Sequence, residues 1–308
     1  MGAKKELEIV QHTKMNYLEV FLTEITARQP HGHDDLEIGV ILAGNLYLYL
    51  ESEVLLLHKG DIYIINRYQV HSFSCIKDKN LILAFQIDTD FYRRLNPSLS
   101  FIQFDNTVIH SGSLHDLVYP QLLSCALYYF EGNNNYELCC GSIFLNVLYR
   151  FLSSTHCHMV SEKEHSIAQN NSIRLNRITD YIAENYAQKL SLQDIAAMEH
   201  VTDCHASHFI KKMLGISFQE YLNNVRFEHA FRLINHSDFN VLDICLETGF
   251  SSSRYLNQMF QKRLGCSVKE YIKSEKKPCI FSPALPADNI QRRYNIEKTI
   301  TILQGLST

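Results

Sequence analysis

At 308 residues with 46% hydrophobic content, the chain is long enough for two domains and rich enough to fill their cores. A formal net charge of -4 excludes a globally basic binder of nucleic acid, so any such contact must come from a local face. Nine cysteines in a chain this long fit reduced thiols rather than a disulfide scaffold, and neighbouring Cys139 and Cys140 lack the paired CxxC of a structural zinc site. The opening MGAKKELEIV has no apolar signal region and no run approaches a membrane span, so a cytoplasmic chain without a membrane partner is expected.

From about 17 to 90 the pattern is short and alternating. NLYLYL and EVLLLHKGDIYIINRYQVHSF read as strands broken at Gly44, at ESE and at HKGD, which predicts a small barrel or sandwich. Within it, HGHDDLEIGVILAG sets His31 and His33 two residues apart with Glu37 four residues further on, and His71 closes a later strand. Alternate residues of a strand point to one side, so His31 and His33 share a face. Three imidazoles and a carboxylate suit a transition metal, or a polar small molecule held by hydrogen bonds. Both readings stay open for His31, His33, Glu37 and His71, with no catalytic residue assigned among them.

From 114 to 153 apolar residues recur at helical spacing, in two helices separated by GNNN at 132–135. Their stripes either cover a core or pair with a second copy. The stretch 154–172 is polar and non-periodic and reads as a linker that leaves the two halves free to move. THCH at 155–158, with His165 nearby, has no recognised ligand spacing and belongs to that linker. Beyond it the chain is helical to about 276. A tail from Pro278 carries a short helix near 290–303.

The second half contains a repeat. Leu192, Asp194, Ile195 and Val201 match Val241, Asp243, Ile244 and Phe250 at an offset of 49. Gly215, Ser217 and Glu220-Tyr221 match Gly265, Ser267 and Glu270-Tyr271 at an offset of 50. The slip of one residue falls in a turn, where a duplicated helix-turn-helix tolerates it; a helix would rotate a face. The second helix of the first unit carries His205, His208, Lys211 and Lys212 outward. That of the second unit carries Ser253, Arg254, Asn257, Gln258 and Lys262. Such side chains suit base edges, and flanking Lys and Arg suit phosphates. Net charge adds little: fourteen Lys and Arg stand against twelve Asp and Glu between 172 and 277.

These residues resemble the double helix-turn-helix domain of AraC-type transcription regulators. The resemblance covers about 175–275 and includes Gly249-Phe250, Phe260, Gly265, Glu270-Tyr271 and the connecting pattern Tyr221, Leu222, Arg226, Ala230, Leu233 and Ile234. It implies that the second helix of each unit enters the major groove of double-stranded DNA. Cys204, Ser207 and His208 then face bases in the first unit, and Ser253, Arg254, Asn257 and Gln258 in the second. The chain departs from the family at Ala206, where a large apolar residue is usual and Leu256 stands in the other copy. It departs also at His208 and Gln258, often Arg, and at Val268, often Pro.

His31, His33, Glu37, Gly44, Gly60, Asp61 and His71 are similarly placed to the two motifs of a cupin barrel, the ligand domain of many such regulators. The resemblance implies an α+β multidomain chain with a cupin-like barrel over 1–112 and a helical dimerisation segment over 113–153. A linker over 154–172, an all-α double helix-turn-helix domain over 173–277 and a tail over 278–308 follow. It implies a homodimer without a cofactor that regulates transcription together with RNA polymerase and answers to a small polar effector. The pattern HGHDDLEIGVILAGNLYLYL is similar to regulators of sugar use, which points to a carbohydrate. The alternative is a cupin-type metalloenzyme fused to a helical domain, in which the repeat has no task.

Overall fold

The structure, a computed structural model, describes residues 12–51, 53–75, 79–105, 107–237, 239–274, 285–286 and 289–306. Strands β1 (Leu18–His31), β2 (Leu36–Ala43), β3 (Leu46–Leu50), β4 (Glu53–Leu57), β5 (Ile62–Ile65), β6 (His71–Cys75) and β7 (Leu81–Ile87) follow one another closely. A short helix α1 (Asp90–Arg93) and strands β8 (Ile102–Phe104) and β9 (Val108–Ile109) complete the first part. The main sheet is antiparallel and runs β4-β3-β6-β1-β7-β2-β5-β9. Its path is open, so the expected barrel is a cupin-like half-barrel.

Strand β2 is buried along almost its whole length, because both faces of the sheet are covered. One face carries Val20, Leu22, Ile38, Val40, Leu83 and Phe85 onto α2 (Ser113–Glu131) and α3 (Tyr136–Ser154). The other carries Ile41, Leu46, Leu48, Ile65 and Phe73 into a second cluster inside the curl. Gly132, left-handed at φ 63°, ends α2.

The expected linker is not irregular. Strand β10 (Cys157–Met159) pairs with β8, and α4 (Glu162–Asn185) starts at once. Ser161 and Glu164 form a reciprocal capping box at its start. The polar character of 162–172 thus reflects the exposed first turns of a long helix. That helix is docked on the main sheet: Asn176 accepts from the Gly32 N–H at 3.1 Å and donates to the Gly32 carbonyl at 2.9 Å. Gln29 donates to Asp180 at 3.0 Å. The halves are joined by a helix bonded to β1, which corrects the expectation of free relative movement.

Helices α5 (Leu192–Met198), α6 (Asp203–Leu214), α7 (Phe218–His236), α8 (Val241–Thr248), α9 (Ser253–Leu264) and α10 (Val268–Lys273) form the second half. The first unit packs α4 to α7 around Ile178, Ile182, Ile195, Ile210 and Leu222, and Tyr49 and Val70 of the first half join that cluster. The second unit packs around Phe227, Ile244, Leu256, Phe260 and Tyr271, with no first-half residue in its cluster.

After α10 the chain returns to the first half. Strand β11 (Ile290–Arg293) pairs antiparallel with β1, Thr23 opposite Arg293 and Ile25 opposite Gln291. Helix α11 (Ile296–Leu306) then lies on α2, with Leu303 fully buried in the core of that half. The helix expected near 290–303 is therefore a strand followed by a helix. Residues 1–11 and 275–284 lie outside the described residues, and with them the first part of the expected tail.

Candidate functional site

The reading surface is built by helix geometry. Thr202 caps α6 by accepting from the His205 N–H, and Gly215 closes it in the left-handed region at φ 72°. Between these stops Ala206, Phe209, Ile210 and Met213 turn inward. Cys204, His205, Ser207, His208, Lys211 and Lys212 are left exposed together. In α9, Leu256, Phe260 and Leu264 turn inward, and Arg254, Gln258 and Lys262 are exposed. Lys262 lies 3.4 Å from Glu220 at the start of α7.

Two of the expected readers differ. Ser253 and Asn257 are half-buried. The Asn257 amide donates to the Ser253 carbonyl at 2.9 Å and accepts from the Val268 N–H at 3.0 Å. Both ends of that side chain are engaged within the unit, so Asn257 fastens α9 to α10 and is not offered outward. Tyr255, 57% exposed, stands on the outer side instead. An aromatic next to apolar positions gives no sequence signal of exposure.

The spacing of the two units is fixed by α7. Arg263 of α9 is buried, donates to Asn224 of α7 at 2.7 Å and stacks over Phe227 at 4.4 Å. Arg226 donates to the Tyr186 carbonyl at 2.9 Å, and Tyr186 stacks on His229 with ring centroids 3.8 Å apart. Glu199, at the turn of the first unit, accepts from Arg177 at 2.9 Å and lies 3.4 Å from Arg174.

In the first half, His31, His33 and His71 are buried and brought together, with one ring nitrogen of each within 4.8 Å of the others. His31 and His71 each place Nδ1 at 2.9 Å from the backbone carbonyl two residues earlier, and His33 places Nδ1 3.0 Å from the Asp35 carbonyl. A carbonyl can only accept, so these nitrogens carry protons and Nε2 faces inward; His33, which also meets the Glu37 carboxylate through Nε2, carries a second proton there that a metal ion would displace. This is the outer-shell arrangement of metal-ligating histidines. Glu37 lies beside them, 3.2 Å from His33 Nε2, and accepts from Tyr63 at 2.9 Å and Gln86 at 3.0 Å. Tyr63 reaches it because Gly39 has no side chain: a Cβ there would sit 2.0 Å from the tyrosine ring.

Burial alone would raise the Glu37 carboxyl. The bond from His33, the nearby imidazoles and the Tyr63 hydroxyl overcome it and hold it at about 2. Burial, and then the charge of Arg28, keep His31 well below its ordinary value. The donor set therefore fits a divalent ion, held by His31, His33 and His71 with Glu37 alongside; such an ion supplies Lewis acidity. The cavity there is only about 30 Å³, and the returning strand adds Gln291 and Arg293 to its wall. That volume suits one or two waters or an ion and is far below the size of a sugar. The four residues expected to bind the effector thus meet, but around a space too small for it.

Comparison with known proteins follows this division. Residues 24–83 match the family model of an AraC-like ligand binding domain, and 195–274 match a helix-turn-helix domain. An uncharacterized HTH-type transcriptional regulator of Staphylococcus aureus strain MRSA252, SAR0107, is 26% identical over 243 residues, covering 77% of this chain. This chain spans 31% of that relative's length. YijO of Escherichia coli K12, also an uncharacterized HTH-type regulator, is 30% identical over 132 residues, 43% of this chain and 47% of its own. Among solved structures, ToxT of Vibrio cholerae aligns over 85% of this chain and 97% of its own, at 13% identity and a TM-score of 0.36. The DNA-binding domain of AdpA, solved with a target DNA, covers 32% of this chain and 89% of its own, at 22% identity and a TM-score of 0.31. Among the described residues no helix is long and apolar enough to cross a membrane. The chain thus joins a segment similar to an AraC-like ligand binding domain to a helix-turn-helix domain, and the relatives it matches are named HTH-type transcriptional regulators.

Proposed function

We propose that the chain is a sequence-specific, double-stranded-DNA-binding transcription regulator of the cytoplasm that responds to a small polar effector, a carbohydrate. The observation that carries this is the repeated outward face. His205, Ser207, His208 and Lys211 on α6 and Arg254, Gln258 and Lys262 on α9 are exposed on two helices locked to one connecting helix. Such side chains suit base edges and phosphates in successive major grooves, about 34 Å apart. Pairing of two copies through α3 is supported by Leu138, 73% exposed, and Tyr149, 63% exposed, which share a side of that helix. RNA polymerase is the partner that a regulator of this kind addresses.

The enzyme reading is favoured by the three converging histidines alone, and a cavity of about 30 Å³ leaves no room for a substrate beside a metal. The test is selection of a binding site from random DNA, followed by affinity measurement with Arg254→Ala. The variant is expected to lose about 1–3 kcal/mol on the selected site and to relax preference at one or two base pairs. Equal weakening on selected and random DNA would show that Arg254 does not read bases.

A further inference from the structure

We propose that the histidine cluster is a metal-ion input to the DNA-binding half, relayed by α4, because the backbone that holds its imidazoles is the backbone to which α4 is fastened. The proposal rests on the reading above that the chain is a DNA-binding regulator whose first half is its sensor. It adds an input separate from the polar effector and names the element that receives it.

The first observation is what the cluster selects. His31 stands directly opposite His71 across β1 and β6, with ring centroids 4.2 Å apart. The His33 ring lies 5.1 Å from that of His71 and 6.0 Å from that of His31. Each ring is held through Nδ1 at a main-chain carbonyl, so its aim is set before any ion arrives. Three imidazoles and one carboxylate suit a divalent transition ion; calcium and magnesium take oxygen ligands instead. A space of about 30 Å³ admits such an ion with a water.

The second observation is where these ligands sit in the chain. His31 and His33 flank Gly32, and Gly32 is the residue at which Asn176 clasps the sheet through both main-chain groups. The approach of α4 there is close: a Cβ on Gly32 would stand 2.1 Å from the Ser172 hydroxyl oxygen. Gln29, whose carbonyl orients His31, donates from its side chain to Asp180 of α4. His71 directly follows Val70, whose side chain shares one core with Leu175, Ile178 and Ile182 of α4. Each of the three imidazoles is therefore one residue away from a group that is bonded to α4 or packed in its core.

The consequence is mechanical. An ion held by His31, His33 and His71 cross-links the end of β1 and the turn after it to the start of β6. Gly32 and Val70, two footings of α4, are then fixed relative to each other. The convergent imidazoles and the seated helix occur together in this structure, so a loaded cluster favours the seated arrangement. Leu175, Ile178 and Ile182 carry the difference into the core of the first unit. An ion that binds one placement of α4 better than another shifts the population of both, and the coupling to DNA is reciprocal.

The experiment uses the full chain without a histidine tag, stripped with a chelator and titrated with zinc, with magnesium as the contrast. One zinc per chain is expected, and no saturable magnesium. Loading should slow amide exchange at Gly32 and over 172–182, and should change affinity for the selected DNA site, each by about fivefold or more. His31→Gln and His71→Gln should each weaken zinc by about tenfold or more, since losing a ligand costs at least what losing its outer-shell partner costs. Asn176→Ala tests the relay itself: it should still take one zinc per chain, while the slowing along α4 is lost. The proposal is overturned if the parent chain takes no stoichiometric zinc, or takes it with α4 exchange unchanged or with affinity for the selected site unchanged. Zinc binding that survives both histidine variants overturns it by marking a different site, and so does full transmission in Asn176→Ala. A chain whose α4 responds to zinc but which selects no DNA breaks the regulator reading and leaves the link from cluster to α4 standing. A chain that selects DNA and takes no zinc breaks this proposal alone.

Discussion

The two helix-turn-helix units share a plan and differ in what they lean on. In both, the turn closes with the same bond: Val201 N–H to Ala196 O and Phe250 N–H to Cys245 O, each at 2.9 Å. The left-handed residue of the turn is Gly249 at φ 73° in the second unit and His200 at φ 54° in the first. The core position filled by Leu256 in the second unit is Ala206 in the first, fully buried in both cases. The core of the first unit extends into α4 and onto Tyr49 and Val70 of the sensor, while that of the second is closed within itself. The first unit is thus the one whose core is continuous with the first-half sheet, and the second is the one whose core is its own.

The strongest way to break that comparison is Phe260→Ala. Phe260 is fully buried among Phe227, Phe231 and Tyr271, with centroids 5.3–6.2 Å away, so about 3–5 kcal/mol should be lost. Hydrogen exchange should show the loss confined to the second half of α7 and to 239–274. A loss spread equally into α4 and the sensor sheet would mean that the second unit is not self-contained. Gly249→Ala comes next: a Cβ there meets the Tyr186 carbonyl oxygen at 2.6 Å, and a left-handed alanine is itself strained. Together these should cost about 2 kcal/mol or more in denaturant melts. A cost near zero would show that the turn gives way freely.

Asn176→Ala tests the other side. It leaves the buried Gly32 N–H and carbonyl without their side-chain partner, at about 2 kcal/mol. Exchange should rise at Gly32 and along α4 while 239–274 stays unchanged, and an effect on the second unit would sink the division. The smallest change is His200→Gly. Relief of the left-handed backbone, offset by a freer unfolded chain, should stabilise the first unit by about 0.5 kcal/mol. A net loss would reveal a role for the imidazole.

Much of this was legible in the residues. Alternation over 17–90, helical period over 114–153 and the repeat at an offset of 49 to 50 each express burial of one face, which a pattern records directly. The docking of α4 escaped because its contacts with β1 run through Asn176 and Asp180, polar residues bonded to a main-chain glycine and to a glutamine. Strand β11 escaped because IQRR is exposed throughout and held by main-chain bonds. The histidines were legible as a cluster, since strand alternation aligns them. The smallness of their cavity was not, because Tyr63 and the returning strand fill it.

The returning strand has a consequence for biosynthesis. The Thr23 hydroxyl bonds the Arg292 carbonyl across 269 residues, and Leu303 completes a core begun at Met15. On the ribosome, β1 waits for a partner strand whose Arg292 follows Thr23 by 269 residues. Until then its middle presents open main-chain groups, the kind of edge that invites pairing with another chain. Non-local pairing of this kind folds slowly. The DNA-binding half forms meanwhile as an excursion between two parts of one sheet. For as long as β1 stands unpaired, that edge is open to pairing with other chains, an exposure that favours misassembly.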